Sequence, residues 1–260
     1  MTVTHTRNAE HGCQVAEDAA RRGSVVVAVG GDGTVGSLAG AVLAARGTLG
    51  LVPVGRGNDF ARQLGIPNDA ASVADLLLHG PVRSIDVIDV DGQIVLGSLY
   101  AGIDSLTSKL VNRLHRLPAL AQYPLAAVWA IATHRSTDYR IVVDGVSRNI
   151  SAHTVIVANS GYYGSGMHVA PSARLDDGLL DIVVFAAAGR MRLLKALRMI
   201  YSGTHLQLPE VTVHTGRVVA IASNGPVEAY ADGDRVGPLP VGARVRPGAL
   251  SVIAPPALNA

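Results

Sequence analysis

The sequence predicts an α/β protein of two domains, a parallel α/β domain over residues 1–83 and an antiparallel, β-rich domain over residues 84–255. In the first domain, short apolar runs alternate with helical patterns, and this order is typical of a parallel sheet. In the second domain, strand patterns follow one another closely. Two of the turns between them, Asp91-Gly92 and Asp144-Gly145, have the composition of tight β-hairpins.

The first domain is predicted to run helix, strand, helix, strand, helix, helix. These elements are residues 14–22, 25–29, 34–46, 49–54, 61–64 and 72–78. The run 25–29 holds only small or β-branched apolar residues, which predicts a strand buried on both faces. Both strands end in glycine-rich turns, and parallel sheets bind ligands at the carboxyl ends of their strands.

The second domain is predicted to contain a series of short strands and two helical segments. The strands are residues 84–90, 94–100, 139–143, 151–158, 179–185, 211–214, 218–223, 227–230 and 249–253, and the helical segments are 105–133 and 191–202. This succession of closely spaced strands is typical of an antiparallel architecture with helical insertions.

Composition limits the classes of function that remain. The chain has 260 residues, of which 48% are apolar and 16% charged, so it can bury a sizeable core. The net charge of +2 is too small to indicate nucleic-acid binding, and the single cysteine, Cys13, excludes an internal disulfide and a cysteine-based zinc site. A polar start and the lack of an apolar run of about 18 residues predict a cytoplasmic protein, with a peripheral position at the inner face of the membrane left open.

The turn after the first strand, Gly30-Gly31-Asp32-Gly33-Thr34, predicts a phosphate site. Glycines bring bare backbone N–H groups close to a ligand, and the following helix adds the positive end of its dipole. Asp32 would repel a phosphate unless a cation such as Mg²⁺ lay between them. The turn therefore predicts a nucleotide bound with its metal. The second strand leads into a similar turn, Gly55-Arg56-Gly57-Asn58-Asp59-Phe60.

These two turns also carry a family resemblance. The first turn, followed by Pro53-Val54-Gly55-Arg56-Gly57-Asn58-Asp59-Phe60-Ala61-Arg62, resembles the diacylglycerol kinase catalytic-domain family, which includes bacterial soluble lipid kinases and sphingosine kinases. Residues 159–181 and Ala231-Asp232-Gly233-Asp234 are similar to motifs in the second domain of that family. The resemblance covers about residues 4–255.

The resemblance implies an N-terminal Rossmann-like parallel α/β domain, a C-terminal antiparallel β-sandwich-like domain, and an active site in the cleft. The implied reaction moves the γ-phosphoryl group of ATP to a lipid hydroxyl with the help of Mg²⁺, and its default is diacylglycerol to phosphatidic acid. The lipid substrate would be met at a membrane surface. No nucleic acid partner is implied, and a homodimer is left open.

The same resemblance assigns roles to individual residues. The ATP-binding positions it implies are Thr6, Gly31, Asp32, Gly33, Thr34, Val35, Gly36, Ser37, Arg56, Asn58 and Asp59. Asp232 matches the general base, which accepts the proton of the lipid hydroxyl. Three further positions, Arg174, Asp177 and Leu179, match a second, structural Mg²⁺ site whose outer two ligands in relatives are main-chain carbonyls.

The sequence leaves two other functions open. Relatives begin with a further strand and an Asn-Pro-x-Ser-Gly-type loop, whereas this chain starts within the second strand of the family, of which residues 3–6 remain. A misplaced start or a truncated, inactive lipid-binding or regulatory remnant would each account for the difference. An NAD kinase uses a similar Gly-Gly-Asp-Gly turn, but Asn58-Asp59-Phe60 and Ala231-Asp232-Gly233 argue against it.

Some of these segments also allow a purely structural interpretation. Asp232-Gly233 and Asp177-Gly178 have the composition of ordinary turns. The helix 191–202 places an apolar face beside the basic residues Arg190, Arg192, Lys195 and Arg198. This pattern predicts either packing with a solvated outer face or contact with an anionic membrane surface. The apolar segment 117–132 either packs in the core or lines a lipid channel.

Overall fold

The computed structural model describes residues 2–111 and 119–257 of the chain. The helices are α1 (Ala9–Arg21), α2 (Asp32–Ala44), α3 (Asp59–Leu64), α4 (Ala70–His79), α5 (Ile103–Val111), α6 (Ala119–Thr133) and α7 (Arg190–Met199). The strands are β1 (Val26–Gly30), β2 (Thr48–Pro53), β3 (Val82–Val90), β4 (Gln93–Val95), β5 (Ser98–Gly102), β6 (Thr137–Val143), β7 (Val146–Ala158), β8 (Tyr162–Tyr163), β9 (Met167–His168), β10 (Leu180–Ala186), β11 (Val211–Gly216), β12 (Val218–Ser223), β13 (Glu228–Ala231), β14 (Asp234–Pro238) and β15 (Val241–Ile253).

The predicted fold class is confirmed. In the N-terminal part β1 pairs with β2 in parallel, and β2 pairs in parallel with the end of β15. The remaining pairs of the large sheet are antiparallel, including β15 with β3 and β7 with β6, β5 and β10. The predicted helical segment 105–133 is observed as α5 and α6, and its residues 112–118 lie outside the described residues.

Strand β1 corrects one expectation. Val26 and Ala28 are buried in the core that α1 and α2 cover, whereas Val27 is 38% exposed and Val29 is 62% exposed. The prediction of burial on both faces is therefore wrong. The reason is that α1 and α2 contact β1 on one face, whereas on the other face α4 packs over β2 and leaves β1 uncovered. Residues 3–6, matched above to a strand of the family, are exposed and form no strand.

The C-terminal part has a core on each face of its antiparallel strands. Side chains alternate along β7, so that Val155 and Val157 enter one core while Ile156 and Ala158 enter the other. The second core is covered by α5, α6 and α7. Both predicted hairpin turns are confirmed, because Asp91-Gly92 and Asp144-Gly145 have the positive φ values that the tightest hairpin turns require.

The predicted strand 94–100 is also corrected. It is observed as two strands, β4 and β5, separated by Leu96 and Gly97. The backbone N–H groups at this break bond to a side chain from the distant C-terminal hairpin, so ladder pairing is interrupted here. The first strand of that hairpin, 227–230, was predicted, but its second strand, β14, was not. Among the described residues, no helix is long and apolar enough to cross a membrane.

Candidate active site

The first glycine turn ends β1 and begins α2. Gly31 takes the N-cap position in an extended conformation, and no side chain caps the helix. Gly33 and Thr34 in the first turn of the helix are exposed. The start of α2 therefore presents backbone N–H groups and the positive end of the helix dipole to solvent, as an anion site requires.

The second glycine turn packs directly on the first. A Cβ at Gly55 would lie 2.4 Å from the Cα of Gly31, so only glycine allows this approach. Asn58 adopts the left-handed conformation (φ 51°) and braces the turn with its side chain. Its Oδ1 accepts the Gly55 N–H and its Nδ2 donates to the Gly55 carbonyl, both at 2.9 Å. Asn58 thus holds the shape of the loop.

The carboxylate of Asp32 joins the two turns. Its Oδ2 accepts the backbone N–H of Asp59 at 3.1 Å, and its Oδ1 accepts that of Phe60 at 3.0 Å. These are the first two residues of α3, where the helix dipole favours a negative charge. Asp32 is therefore fixed in place by backbone donors of the second turn.

Asp59 connects the N-terminal part to a loop of the C-terminal part. Its side chain is buried, pairs with Arg62 at 2.5 Å and accepts the backbone N–H of Ser165 at 2.7 Å. Burial raises the pKa of Asp59 above its usual range and the charge of Asp32 adds to this, while the Ser165 N–H and Arg62 oppose the shift. Asp59 thus serves as a buried contact across the cleft.

Asp232 is held by a cradle of backbone donors. It lies in the turn between β13 and β14 with φ 48°. Its carboxylate accepts the N–H groups of Leu96 at 2.8 Å, Gly97 at 3.0 Å and Ser98 at 2.9 Å. Burial is the largest cause that raises the pKa of Asp232 above its usual range; the charge of Asp32 also raises it, and the three N–H bonds oppose the shift.

The three carboxylates share one cleft with a volume of about 250 Å³. The residues that line it are Asp32, Gly57, Asp59, Phe60, Leu96, Gly97, Tyr100, Ser108, Val111, Ser160, Tyr162, Tyr163, Gly164, Ser165, Asp232 and Gly233. Tyr100 braces the Asp232 turn, because its hydroxyl accepts the Gly233 N–H at 3.1 Å and bonds to Ser108 at 2.9 Å. The cleft therefore combines acidic groups with aromatic walls.

The other predicted positions lie around or away from this cleft. Residues 33–37 form the first turn and a half of α2, and Arg56 is exposed on the second glycine turn. The Arg56 guanidinium forms no ion pair with the residues that the structure describes. Thr6 is exposed, with its methyl group near Gly12 of α1, and it does not line the cleft.

The predicted structural metal loop lies on a different part of the protein. Asp177 is exposed and its Oδ1 accepts the Leu179 N–H at 2.9 Å, while the Arg174 side chain pairs with Asp176 at 3.3 Å. The buried Asp86 anchors this loop by accepting the Gly178 N–H at 2.7 Å. Within residues 2–111 and 119–257, no three His, Cys, Asp or Glu side chains cluster closely enough to hold a metal ion.

The sequence pattern does not reveal the donors that hold Asp232. Leu96, Gly97 and Ser98 read as part of a continuous apolar strand. One signal was present, since an isolated glycine within a strand pattern indicates a bulge or a close backbone approach. Tyr100 and Ser165 were also missed, and nothing in their local pattern marks them.

Comparison with known proteins identifies the family of the chain. Residues 1–90 match the diacylglycerol kinase catalytic domain, and residues 97–254 match the YegS C-terminal NAD kinase β-sandwich-like domain. A diacylglycerol kinase of Mycobacterium tuberculosis (strain H37Rv) is 32% identical over 237 residues, which cover 88% of this chain and 76% of that protein. The chain belongs to the diacylglycerol kinase family. The family resemblance of the two glycine turns is thereby confirmed.

Two further proteins that are similar to this chain also have the name diacylglycerol kinase. A diacylglycerol kinase of Bacillus subtilis (strain 168) is 29% identical over 92% of this chain and 81% of its own length. A crystal structure of a diacylglycerol kinase from Bacillus anthracis covers 98% of this chain and 85% of that chain with a TM-score of 0.76 at 22% identity, which shows the shared fold. Membership of this family makes the chain a kinase that takes its phosphoryl group from ATP.

Proposed function

We propose that the protein transfers the γ-phosphoryl group of ATP to the free hydroxyl of diacylglycerol, forming phosphatidic acid and ADP. The observation that carries this proposal is the position of Asp232. Its carboxylate is fixed by three backbone N–H groups and lines the same cleft as the two glycine turns. A fixed carboxylate opposite a phosphate site is what transfer to an alcohol requires.

Each group in the cleft has one role in this reaction. The phosphates of ATP lie at the uncapped start of α2, and Arg56 is free to pair with them. The lipid hydroxyl oxygen forms a bond to the γ-phosphorus while the bond to the β,γ-bridging oxygen breaks and ADP leaves. Asp232 accepts the hydroxyl proton. Its raised pKa makes the ionised carboxylate a better proton acceptor than an ordinary aspartate.

Mg²⁺ fits the cleft when it arrives with ATP. The charge of Asp32 raises the pKa of both Asp59 and Asp232, so the carboxylates repel one another and a cation would relieve this. Mg²⁺ is usually held by one or two carboxylates together with substrate phosphates. We propose Asp32 as such a ligand, with the metal supplying charge neutralisation for the phosphates. We retain the loop with Arg174, Asp177 and Leu179 as a proposed second, structural Mg²⁺ site.

The lining of the cleft supports a lipid acceptor. The apolar part of the cleft wall is formed by Phe60, Leu96 and Val111. Aromatic rings are added by Tyr162 and Tyr163. Similar proteins named diacylglycerol kinases span most of the chain. Diacylglycerol carries one free hydroxyl beside two acyl chains, which suits a polar base set in apolar surroundings.

The test is transfer of labelled phosphate from ATP, with Mg²⁺, to a panel of diacylglycerol, a sphingoid base, a monoacylglycerol and NAD. The expected result is labelled phosphatidic acid, with the other acceptors at least tenfold slower. The Asp232→Asn variant serves as the control for contaminating kinase. Label on NAD would contradict the proposal. ATP binding without transfer to any lipid would favour a non-catalytic, lipid-binding protein instead.

A further inference from the structure

Helix α6 is apolar on the face that it turns to solvent. Residues 119–133 contain no charged side chain. Ala126, Ala130 and Ile131 are buried, whereas Leu125, Val128 and Trp129 on the opposite side are about half exposed, Trp129 at 50%. A helix in contact with water normally carries charged or polar residues on its outer face. This one presents an exposed apolar patch, which marks an interaction site.

Helix α7 carries the complementary feature, a set of unpaired cations. Arg190, Lys195 and Arg198 are exposed. None of them forms an ion pair within the described part of the chain, where the acidic Glu210 is taken by Arg192 at 2.9 Å. Two large apolar side chains lie among these cations, because Met191 is 78% exposed and Tyr201 just beyond the helix is about half exposed.

The two exposed faces form one surface. Ile131 of α6 and Leu193 and Ala196 of α7 enter the same core as Ile156 and Val183 of the sheet. Both helices therefore cover the same face of the sheet, and their outer sides point away from it together. We call this region the α6–α7 surface. It consists of Leu125, Val128, Trp129, Arg190, Met191, Lys195, Arg198 and Tyr201.

An apolar chamber lies beneath this surface and reaches toward the catalytic cleft. It is lined by side chains of both helices, among them Ile131 and Leu197, and by Asp104 of α5. Asp104 accepts a hydrogen bond from the hydroxyl of Tyr163, and Tyr163 lines the cleft that contains Asp232. The Asp104–Tyr163 pair thus separates the chamber from the cleft.

We propose that the α6–α7 surface docks the protein on an anionic lipid bilayer. Exposed apolar and aromatic side chains flanked by unpaired arginine and lysine are the composition that binds an anionic membrane interface. A protein partner would need acidic groups to match these cations, whereas an anionic bilayer supplies that charge and also accepts the apolar side chains. This inference deepens the proposed function, since it names the surface through which a lipid kinase meets its substrate.

Trp129 is the single tryptophan of the chain, so the fluorescence of the protein reports directly on this surface. Vesicles of phosphatidylcholine with about one third phosphatidylglycerol are expected to shift its fluorescence to shorter wavelength and to sediment the protein. Vesicles of phosphatidylcholine alone should bind far more weakly. The triple variant Arg190→Glu, Lys195→Glu, Arg198→Glu should bind anionic vesicles roughly a hundredfold more weakly or worse, given three lost cations.

A matched triple variant controls for net charge. Arg148→Glu, Arg217→Glu and Arg246→Glu make the same charge change at exposed positions away from α6 and α7, and this variant should bind as the wild type does. Equal loss of binding in both triple variants would overturn the proposal. So would an unshifted Trp129 signal on anionic vesicles, or burial of Trp129 by self-association in vesicle-free solution.

Activity on a short-chain diacylglycerol that stays monomeric separates this inference from the proposed function. There the α6–α7 variant should turn over as the wild type does, because no membrane is involved. A wild type without transfer to this acceptor would count against the proposed reaction, while the vesicle results would still decide the docking surface.

Discussion

The Gly97 N–H donates to the Asp232 carboxylate at 3.0 Å, and a Cβ at position 97 would lie 2.7 Å from the same oxygen. The two residues are 135 positions apart in the sequence, yet in the folded chain each fixes the position of the other. The absence of a side chain at Gly97 is what allows the carboxylate to reach three backbone donors. The proposed base is therefore positioned by a glycine in a broken strand.

Gly97→Ala is expected to displace Asp232 and to lower kcat by roughly one to two orders of magnitude, in the range seen when a catalytic group is misplaced by about 1 Å. ATP binding should be retained, because the glycine turns are untouched. The measurement is kcat and ATP affinity for each variant. Gly225→Ala is the control, since its Cβ would meet only the Thr137 methyl at 3.9 Å. Equal effects of the two substitutions would contradict the role of Gly97.

Asp232→Asn is expected to lower kcat by about 10² to 10⁴, the usual contribution of a general base. Calorimetry should find ATP affinity within about threefold of the wild type. Asp91→Asn is the matched control, because Asp91 occupies the same kind of Asp-Gly turn with positive φ but lies outside the cleft. Near-normal turnover in the Asp232 variant would remove it as the base.

The pH dependence of kcat/KM for Mg²⁺–ATP reports the enzyme before the nucleotide and its metal bind, so it tests the environment of Asp232 without the cation. The base must be ionised, and its pKa is raised above the usual aspartate range by burial and by the charge of Asp32. Activity should therefore fall, as pH is lowered, at a higher pH than an ordinary aspartate would produce. Asp32→Asn removes one of the causes that raise the pKa of Asp232, so the acidic limb of the pH profile should move to lower pH in that variant. A limb that moves upward or stays fixed would contradict this coupling.

Asp32→Ala is expected to weaken ATP binding in the presence of Mg²⁺ by roughly ten- to a hundredfold. It removes a proposed metal ligand and also the acceptor for the Asp59 and Phe60 N–H groups. Hydrogen exchange at those two amides should rise in the same variant. Asp75→Ala, an exposed carboxylate on α4, provides the control. Unchanged nucleotide affinity would rule out the proposed role of Asp32.

Asp86→Ala tests stability apart from catalysis. Asp86 is 2% exposed and accepts the Gly178 and Gly248 N–H groups at 2.7 Å each. Its removal leaves two donors without their acceptor, so the free energy of unfolding should fall by about 2–5 kcal/mol. Asp176→Ala removes only partly exposed ion pairs with Arg83 and Arg174 and should cost less than about 1 kcal/mol. Denaturant titration compares the two, and equal losses would contradict this account of Asp86.

Local patterns in the sequence predict much of the secondary structure because they act over a few residues. Asp144-Gly145 between two alternating runs specifies a hairpin whatever surrounds it, and the structure has that hairpin. The second predicted strand, 49–54, is observed as β2 with Leu49 and Leu51 fully buried. The two glycine turns also lie where the motif predicts them, at the ends of β1 and β2.

Long-range packing decided what these patterns leave open. The apolar residues of β1 look alike in the sequence, but Val26 and Ala28 are buried whereas Val27 and Val29 are exposed, because helices cover only one face of this strand. The run 94–100 reads as one strand, and it is divided because a carboxylate from the far end of the chain takes its N–H groups. Periodicity records which face of an element is apolar, and it contains no information on a partner 135 residues away.

By itself, therefore, the sequence determined the fold class, the two glycine turns, the family and the identity of Asp232 as candidate base. Only the tertiary structure decided how Asp232 is held, how Asp32 and Asp59 join the parts of the cleft, and which outer face of the helices remains apolar. The physical reason is that motifs specify residue types and local turns, whereas the position of a carboxylate depends on backbone donors that the folded chain brings to it.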